Sequence, residues 1–134
     1  YLAADPEDCV AAFNLANSLR ATGDFGEAAL ALARAIKLDP GFVEAWFNLA
    51  GLMADQGRAD AARAHLLRAI EIDPDYADAI YNLAALDYEA GRLAEARGWW
   101  RRYLELDSSS DWARTAMRGI QFVDLTIGAR SGTR

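Results

Sequence analysis

One phrase of this sequence is written twice, 34 residues apart. Residues 35–51 read AIKLDPGFVEAWFNLAG and residues 69–85 read AIEIDPDYADAIYNLAA, so eight of the seventeen letters are identical. The same period relates three further sets of residues, namely Asn14, Asn48 and Asn82; Gly23, Gly57 and Gly91; and Ala28, Ala62 and Ala96. A fixed period of this length indicates stacked supersecondary units, because each unit can bury its apolar face only against its neighbours.

Each period is predicted to contain two helices. Between Val43 and Gln56 apolar residues recur at helical spacing, and Gly57 stands where a helix would end. A second helix is predicted from Ala59 to Ile72. The Asp73-Pro74 pair ends it, because proline disfavours a helical conformation in the preceding residue and suits the first turn of the next helix.

This arrangement resembles the tetratricopeptide repeat. The residues that carry the resemblance in the second unit are Trp46, Phe47, Asn48, Leu49 and Ala50, then Gly57, Ala62, Ala69, Ile70, Asp73 and Pro74. The resemblance implies an all-α chain that forms a right-handed α-solenoid of antiparallel helix pairs. Such a fold is expected to be a protein-interaction module or scaffold.

The period divides the chain into a single domain over 1–125 and a tail. The predicted segments are a remnant of a preceding repeat (1–8), repeats 9–42, 43–76 and 77–110, a capping helix (111–125) and a flexible tail (126–134). A serine of the run 108–110 is expected to cap the last helix. The side chains expected to pack that helix on the third repeat are Trp112, Ala116, Met117, Ile120 and Phe122; Arg114 and Arg118 are expected to face water.

Composition disfavours several classes of partner. The net charge of −6 disfavours direct nucleic-acid binding, which needs a basic surface. No apolar run is long enough to span a bilayer. A single cysteine allows no internal disulfide, so a cytoplasmic location is predicted, with a periplasmic one left open. The excess of arginine over lysine, 13 to 1, indicates a bacterial coding bias.

The sequence contains no recognisable catalytic constellation. Its one histidine, His65, and its one cysteine, Cys9, are far apart, and no metal-ligand spacing or glycine-rich phosphate loop is present. We therefore expect no enzyme activity, no metal and no cofactor in this segment. A catalytic domain elsewhere in a longer parent protein is left open.

The first helix of each pair is expected to line the concave side of the solenoid. On that side the repeats would align an aromatic row and an amide row. An amide both donates and accepts hydrogen bonds, so the amide row could hold a peptide backbone; the alternative is that it only braces neighbouring helices. The predicted peptide-binding residues are Phe13, Asn14, Asn17, Glu44, Phe47, Asn48, Asp78, Tyr81, Asn82 and Tyr88.

Charge further narrows the expected partner to an extended peptide or protein that is neutral to basic. Four carboxylates, Glu44, Asp55, Asp78 and Glu89, make the groove mildly acidic. The carboxylate clamp that some family members use for chaperone tails is not expected here. The matching positions carry Phe13, Asn17, Gly51, Tyr81 and Ala85, of which only Asn17 fits.

Two residues of the third repeat depart from its pattern. Asp87 stands where Leu19 and Met53 stand in the earlier repeats, so it needs a partner, for which Arg92, Arg101 and Arg102 are candidates. Trp99 is predicted either to pack against the capping helix or, if exposed, to mark a self-association surface. The alternative functions are therefore a self-associating homo-oligomer and an accessory domain of a larger bacterial regulator or transferase.

Overall fold

The computed structural model describes residues 6–132, and its side chains over 8–128. The chain divides into two compact units, unit 1 (1–74) and unit 2 (75–134). Within the described range the structure is all-α with no strand, which confirms the predicted fold class. The seven helices are α1 (Pro6–Ala21), α2 (Phe25–Leu38), α3 (Val43–Asp55), α4 (Ala59–Ile72), α5 (Ala77–Glu89), α6 (Leu93–Leu106) and α7 (Asp111–Gly132).

Unit 1 is built of two helix hairpins, α1–α2 and α3–α4, and α2 also packs on α3. Alanines line the contact between paired helices. Four of them, Ala28, Ala35, Ala62 and Ala69, have no exposed surface at all. Such small side chains let two helix backbones approach closely, so a single added side chain there would overpack the hairpin.

Glycine ends the first helix of every hairpin. Gly23, Gly57 and Gly91 have φ angles of +87°, +76° and +83°. This left-handed conformation carries no Cβ penalty in glycine, and it reverses the chain into the second helix. The helix ends predicted at these glycines are confirmed to within one or two residues.

Two boundaries differ from the sequence expectation. The helix α1 begins at Pro6, three residues before the expected start of the first repeat. Residues 1–5 lie outside the described range, and the assignment of 1–8 to a preceding repeat stays a prediction. The last helix, α7, passes its expected end near Leu125 and continues to Gly132. The flexibility predicted for the tail 126–134 stays a prediction, and residues 133–134 are not described.

The first repeat also exposes a leucine that the second repeat buries. Leu15 is 55% exposed, whereas Leu49, which occupies the same place in α3, is 8% exposed. The helix α2 packs on α3, but no helix of the described range packs in the same way on α1. Identical repeat positions therefore become core only where a preceding hairpin covers them.

Unit 2 consists of the hairpin α5–α6 and the helix α7, which packs on α6. Its core includes Ile80, Leu83 and Trp100. None of the described helices is both long and apolar enough to cross a bilayer.

The side chains that α7 buries are small ones, Ala113, Ala116 and Val123. Trp112 and Phe122 do pack on the third repeat, through ring contacts with Tyr81 and Tyr88, but their side chains remain 61% and 52% exposed. Met117 is 40% exposed. The two aromatic residues lie on another face of α7, described below.

Candidate functional site

In each unit, we use the name row face for the side of a first helix that carries the predicted binding residues, namely α1 and α3 in unit 1 and α5 in unit 2. In unit 1 this face is held together by polar contacts between α1 and α3. The Asn48 amide nitrogen donates to the Asn17 oxygen at 3.0 Å, and Arg20 pairs with Asp55 at 2.7 Å. Both contacts join consecutive repeats, so they brace the two first helices of unit 1.

The Arg20 guanidinium also covers the small residue at the centre of the α3 row face. A Cβ atom on Gly51 would lie 3.2 Å from one guanidinium nitrogen of Arg20. The space that Gly51 leaves open is thus occupied by a side chain of the protein itself.

The amide row is used differently at each of its positions. Asn14 is exposed, while Asn48 and Asn82 are half-buried. Asn48 donates one amide hydrogen to Asn17, which supports the interpretation that the amide row braces neighbouring helices at this position. No amide–amide bond of this kind is seen for Asn14 or Asn82 within the described residues.

Two residues of the aromatic row, Phe13 and Tyr81, pack against other rings of their own unit. In unit 1, Phe13 lies 4.9 Å from Phe42, centroid to centroid. In unit 2, the residue equivalent to Phe42 is Ser110, which leaves Tyr81 without that cover. Tyr81 instead makes edge contacts with Tyr103 at 5.2 Å and with Trp112 of α7 at 5.0 Å.

A second aromatic pair joins α5 to α7 two turns further along. Tyr88 lies 6.0 Å from Phe122 in an edge-to-face geometry, and it also lies 5.5 Å from the Trp100 ring. The α7 side chains Trp112 and Phe122 occupy the repeat positions of Asp78 and Tyr88, so helical periodicity could have placed both on this face. The sequence analysis placed both against the third repeat but did not include them among the predicted binding residues.

Between the two aromatic pairs lies an open pocket of about 350 Å³, which we call the α5–α7 cleft. Its lining is mostly apolar. The lining residues are Tyr81, Ala85, Tyr88, Glu89, Trp100, Thr115, Arg118 and Gly119.

Gly119 allows the backbone of α7 to approach the Trp100 ring closely. A Cβ atom on Gly119 would lie 2.6 Å from two atoms of that ring, which is closer than real side chains come. Glycine costs about 1 kcal/mol in a helix interior relative to alanine. The close approach to Trp100 is the structural reason for accepting that cost at this position.

The carboxylates of the row face differ in whether they are ion-paired. Asp55 is neutralised by Arg20, whereas Glu44, Asp78 and Glu89 are exposed, and no ion pair is seen for these three among the described residues. Of the basic residues near the cleft, Arg114 pairs with Asp111 at 3.0 Å and Arg118 donates to the Thr115 hydroxyl at 3.4 Å.

The buried carboxylate of unit 2 has a partner that the sequence analysis did not consider. Asp87 has no exposed surface; the indole nitrogen of Trp99 donates to it at 3.0 Å, and the predicted partner Arg92 lies at 3.6 Å. Trp99 is half-buried, so the exposure that would mark it as a self-association surface is not met. Self-association itself stays a prediction.

The turn between α6 and α7 is organised around Asp107. Its carboxylate accepts hydrogen bonds from the Tyr103 hydroxyl at 2.8 Å, from the Ser110 hydroxyl and from two backbone amides. These bonds, that from Ser110 first, lower the pKa of Asp107 to about 2. Ser110 in turn accepts from the Ala113 amide at 3.1 Å, which confirms the predicted serine cap of α7.

No grouping of side chains suited to a metal ion occurs in the described part of the chain. His65 packs 5.7 Å from the Trp46 ring, and burial, together with the nearby Arg58, lowers its pKa.

Two family models of the tetratricopeptide repeat match the sequence, one over residues 13–77 and the other over 54–116. Together they span 13–116, which is most of the chain. None of the curated proteins compared with it by sequence matches.

Several solved structures share the fold of this chain. The first TPR of Spaghetti (RPAP3), bound to the HSP90 peptide SRMEEVD, has a TM-score of 0.83 at 17% identity, covering 96% of this chain and 99% of that one. The TPR domain of Arabidopsis OM64 has a TM-score of 0.79 at 19% identity, covering 87% and 97%. MamA has a TM-score of 0.81 at 23% identity, covering 95% and 72%.

Proposed function

Because this chain belongs to the tetratricopeptide repeat family, we propose that it is a protein-interaction module that binds an extended peptide or a segment of a partner protein. The proposed site is the concave groove lined by the first helices of the repeats. The proposal assigns no catalytic role to this segment, since the fold is one of protein interaction.

The observation that carries this proposal is the set of partly exposed aromatic side chains on the row face. Phe13, Phe47 and Tyr81 are only half-buried, and Tyr88 is 36% exposed. Aromatic side chains supply large contact areas with few rotatable bonds, which is why they dominate the binding energy of protein interfaces. A partner that covered this row would bury these rings at a low entropic cost.

The chemistry of the partner should differ from that of the peptide in the Spaghetti (RPAP3) structure. That peptide, SRMEEVD, carries three carboxylate side chains and one arginine. The row face of the present chain instead exposes Glu44, Asp78 and Glu89, and the charge of Asp55 is paired with Arg20 of the chain itself. Like charges across an interface are costly, so we propose a neutral to basic partner.

The amide row contributes unevenly in this proposal. Asn48 already donates to Asn17, so it offers a peptide only its second amide hydrogen and its oxygen. Asn14 and Asn82 carry no such bond within the described part of the chain and would supply most of the backbone contacts. We therefore expect the Asn14→Ala and Asn82→Ala changes to weaken peptide binding more than Asn48→Ala does.

A display library of random peptides, selected on the purified chain, tests the proposal. Selected peptides should lose affinity for the Asn14→Ala, Asn48→Ala and Asn82→Ala triple variant. They should keep it for a control that removes two exposed amides elsewhere, Gln56→Ala with Gln121→Ala. If no peptide is enriched, or if the selected peptides bind the triple variant and the control variant equally well, the row face is not the peptide-binding site.

A further inference from the structure

We propose that the α5–α7 cleft is the anchor site of the interaction: it accepts one large apolar side chain of the partner peptide, with a basic residue beside it that pairs with Glu89. This inference rests on the proposed function, because it names the chemistry that the same groove would select. The cleft lies wholly within unit 2.

The walls of the cleft favour an apolar occupant. Three of the lining residues, Tyr81, Tyr88 and Trp100, are aromatic, and Ala85 and Gly119 are small. Trp112 and Phe122 of α7 pack on Tyr81 and Tyr88 beside the cleft. Burial of apolar surface between aromatic rings is favourable without any strict demand on geometry. A leucine, methionine or phenylalanine side chain meets these conditions, whereas alanine would leave most of the cleft empty.

Unit 1 shows why the anchor site is confined to unit 2. Positions 51, 85 and 119 are one repeat apart and carry Gly, Ala and Gly. The Arg20 guanidinium covers the first of these positions, while the other two line the open cleft. The protein thus fills the space in unit 1 with its own side chain and leaves the equivalent space of unit 2 for a partner.

The charges at the rim indicate a basic neighbour and its orientation. Glu89 lines the cleft from α5, Asp78 lies near the start of the same helix, and neither is ion-paired among the described residues. Arg118 lines the opposite wall from α7. A lysine or arginine beside the apolar anchor would therefore face α5, and a peptide carbonyl group would face Arg118.

Four short synthetic peptides of one common frame test this inference by calorimetric titration. They carry either leucine or alanine at a central position, followed by either lysine or glutamate. The Leu-Lys peptide should bind about tenfold more tightly than the Ala-Lys peptide, which is the expected loss for truncating a well-buried side chain. The Leu-Glu peptide should also bind more weakly than Leu-Lys, by several fold at low salt.

Two variants assign the difference to the cleft. Ala85→Leu places a side chain inside the open space and should abolish the preference for leucine over alanine. Its matched control is Ala33→Leu, the same change at an exposed position of α2. Glu89→Gln should abolish the preference for lysine over glutamate, whereas Glu105→Gln, on the exposed side of α6, should preserve it.

The outcomes separate the two proposals. The anchor assignment is overturned, and the proposed function stands, if peptides selected by display bind the row face but show no preference for leucine. The same conclusion follows if the leucine preference persists in an Ala85→Leu variant that melts at the wild-type temperature. Should no peptide of either experiment bind, the proposed function itself fails. A leucine preference lost only in Ala85→Leu supports the inference.

Discussion

In unit 1, the first helices of consecutive repeats are joined by polar contacts, Asn17 to Asn48 and Arg20 to Asp55. In unit 2, the corresponding contacts between α5 and α7 are aromatic, Tyr81 to Trp112 and Tyr88 to Phe122, and they leave an open cleft between them. The sequences of both units follow the same 34-residue repeat. A handful of substitutions at equivalent repeat positions therefore decides whether a row face is closed by the protein or left open for a partner.

The difference extends into the cores of the units. Where α3 buries Met53, α5 buries Asp87, which is bonded to the Trp99 indole and lies near Arg92. A buried carboxylate is stable only while its donors are present. Unit 2 is therefore expected to be the more sensitive unit to loss of a single polar group, and four predictions follow that comparison from the largest effect to the smallest.

The Trp99→Phe change should have the largest effect. It removes the indole donor from fully buried Asp87 and should lower the free energy of unfolding by about 3 kcal/mol, the upper range for hydrogen bonds to buried charged groups. Urea denaturation measures the loss. The control is Trp112→Phe, whose ring is 61% exposed and should cost much less. Equal losses in the two variants would contradict a special role for the buried Asp87.

Gly119→Ala and Gly51→Ala form a matched pair at equivalent positions of the two units. At Gly119 the new methyl group would collide with the buried Trp100 ring, so we expect a loss of about 2 kcal/mol from overpacking. At Gly51 it would meet only the flexible end of Arg20, and the helix propensity of alanine should leave stability unchanged or raise it by up to about 1 kcal/mol. Thermal unfolding distinguishes the two, and a loss at Gly51 as large as that at Gly119 would break the comparison.

Asp107→Asn should have a smaller, pH-dependent effect, because water reaches this carboxylate. The folded-state pKa of about 2 lies below the ordinary aspartate pKa of 3.8, so ionised Asp107 contributes stability above pH 4. That contribution is lost as the pH falls through about 2. Wild type should therefore be more stable than the variant at pH 7, and the two should converge near pH 2.

The equivalent residue of unit 1 provides the control for that titration. Asp39 accepts a hydrogen bond from the Gly41 amide at 3.0 Å, compared with the four bonds that reach Asp107. Asp39→Asn should accordingly change the free energy of unfolding at pH 7 less than Asp107→Asn does. A gap between wild type and Asp107→Asn that stays constant from pH 7 to pH 2 would exclude the carboxylate as its source.

Arg20→Ala should have the smallest effect on stability. The Arg20 and Asp55 side chains are 35% and 52% exposed, so their ion pair should contribute only about 0.5 kcal/mol, less at high salt. The same change uncovers Gly51 and should give unit 1 an open space like that of unit 2. A loss above 2 kcal/mol, or one insensitive to 1 M NaCl, would show that the contact does more than close the row face.

The local structure of this protein was largely predictable from sequence. Gly57, the Asp73-Pro74 pair and the helical spacing between them were sufficient to place α3 and α4, because helix ends depend on backbone conformations that glycine and proline control by themselves. The Ser110 cap was predictable for the same reason, as its partner is only three residues away.

What the sequence alone determined is the repeat: its period, its helix hairpins and the residues that share each helix face. Only the tertiary structure decided which of those faces are covered. Trp112 and Phe122 meet Tyr81 and Tyr88 of α5 but stay more than half exposed, because the side chains that α7 buries are the small ones of Ala113, Ala116 and Val123. The donor for Asp87 came from Trp99, twelve residues away on another helix. Such choices depend on how side-chain volumes fit between helices, and no single helix encodes that fit.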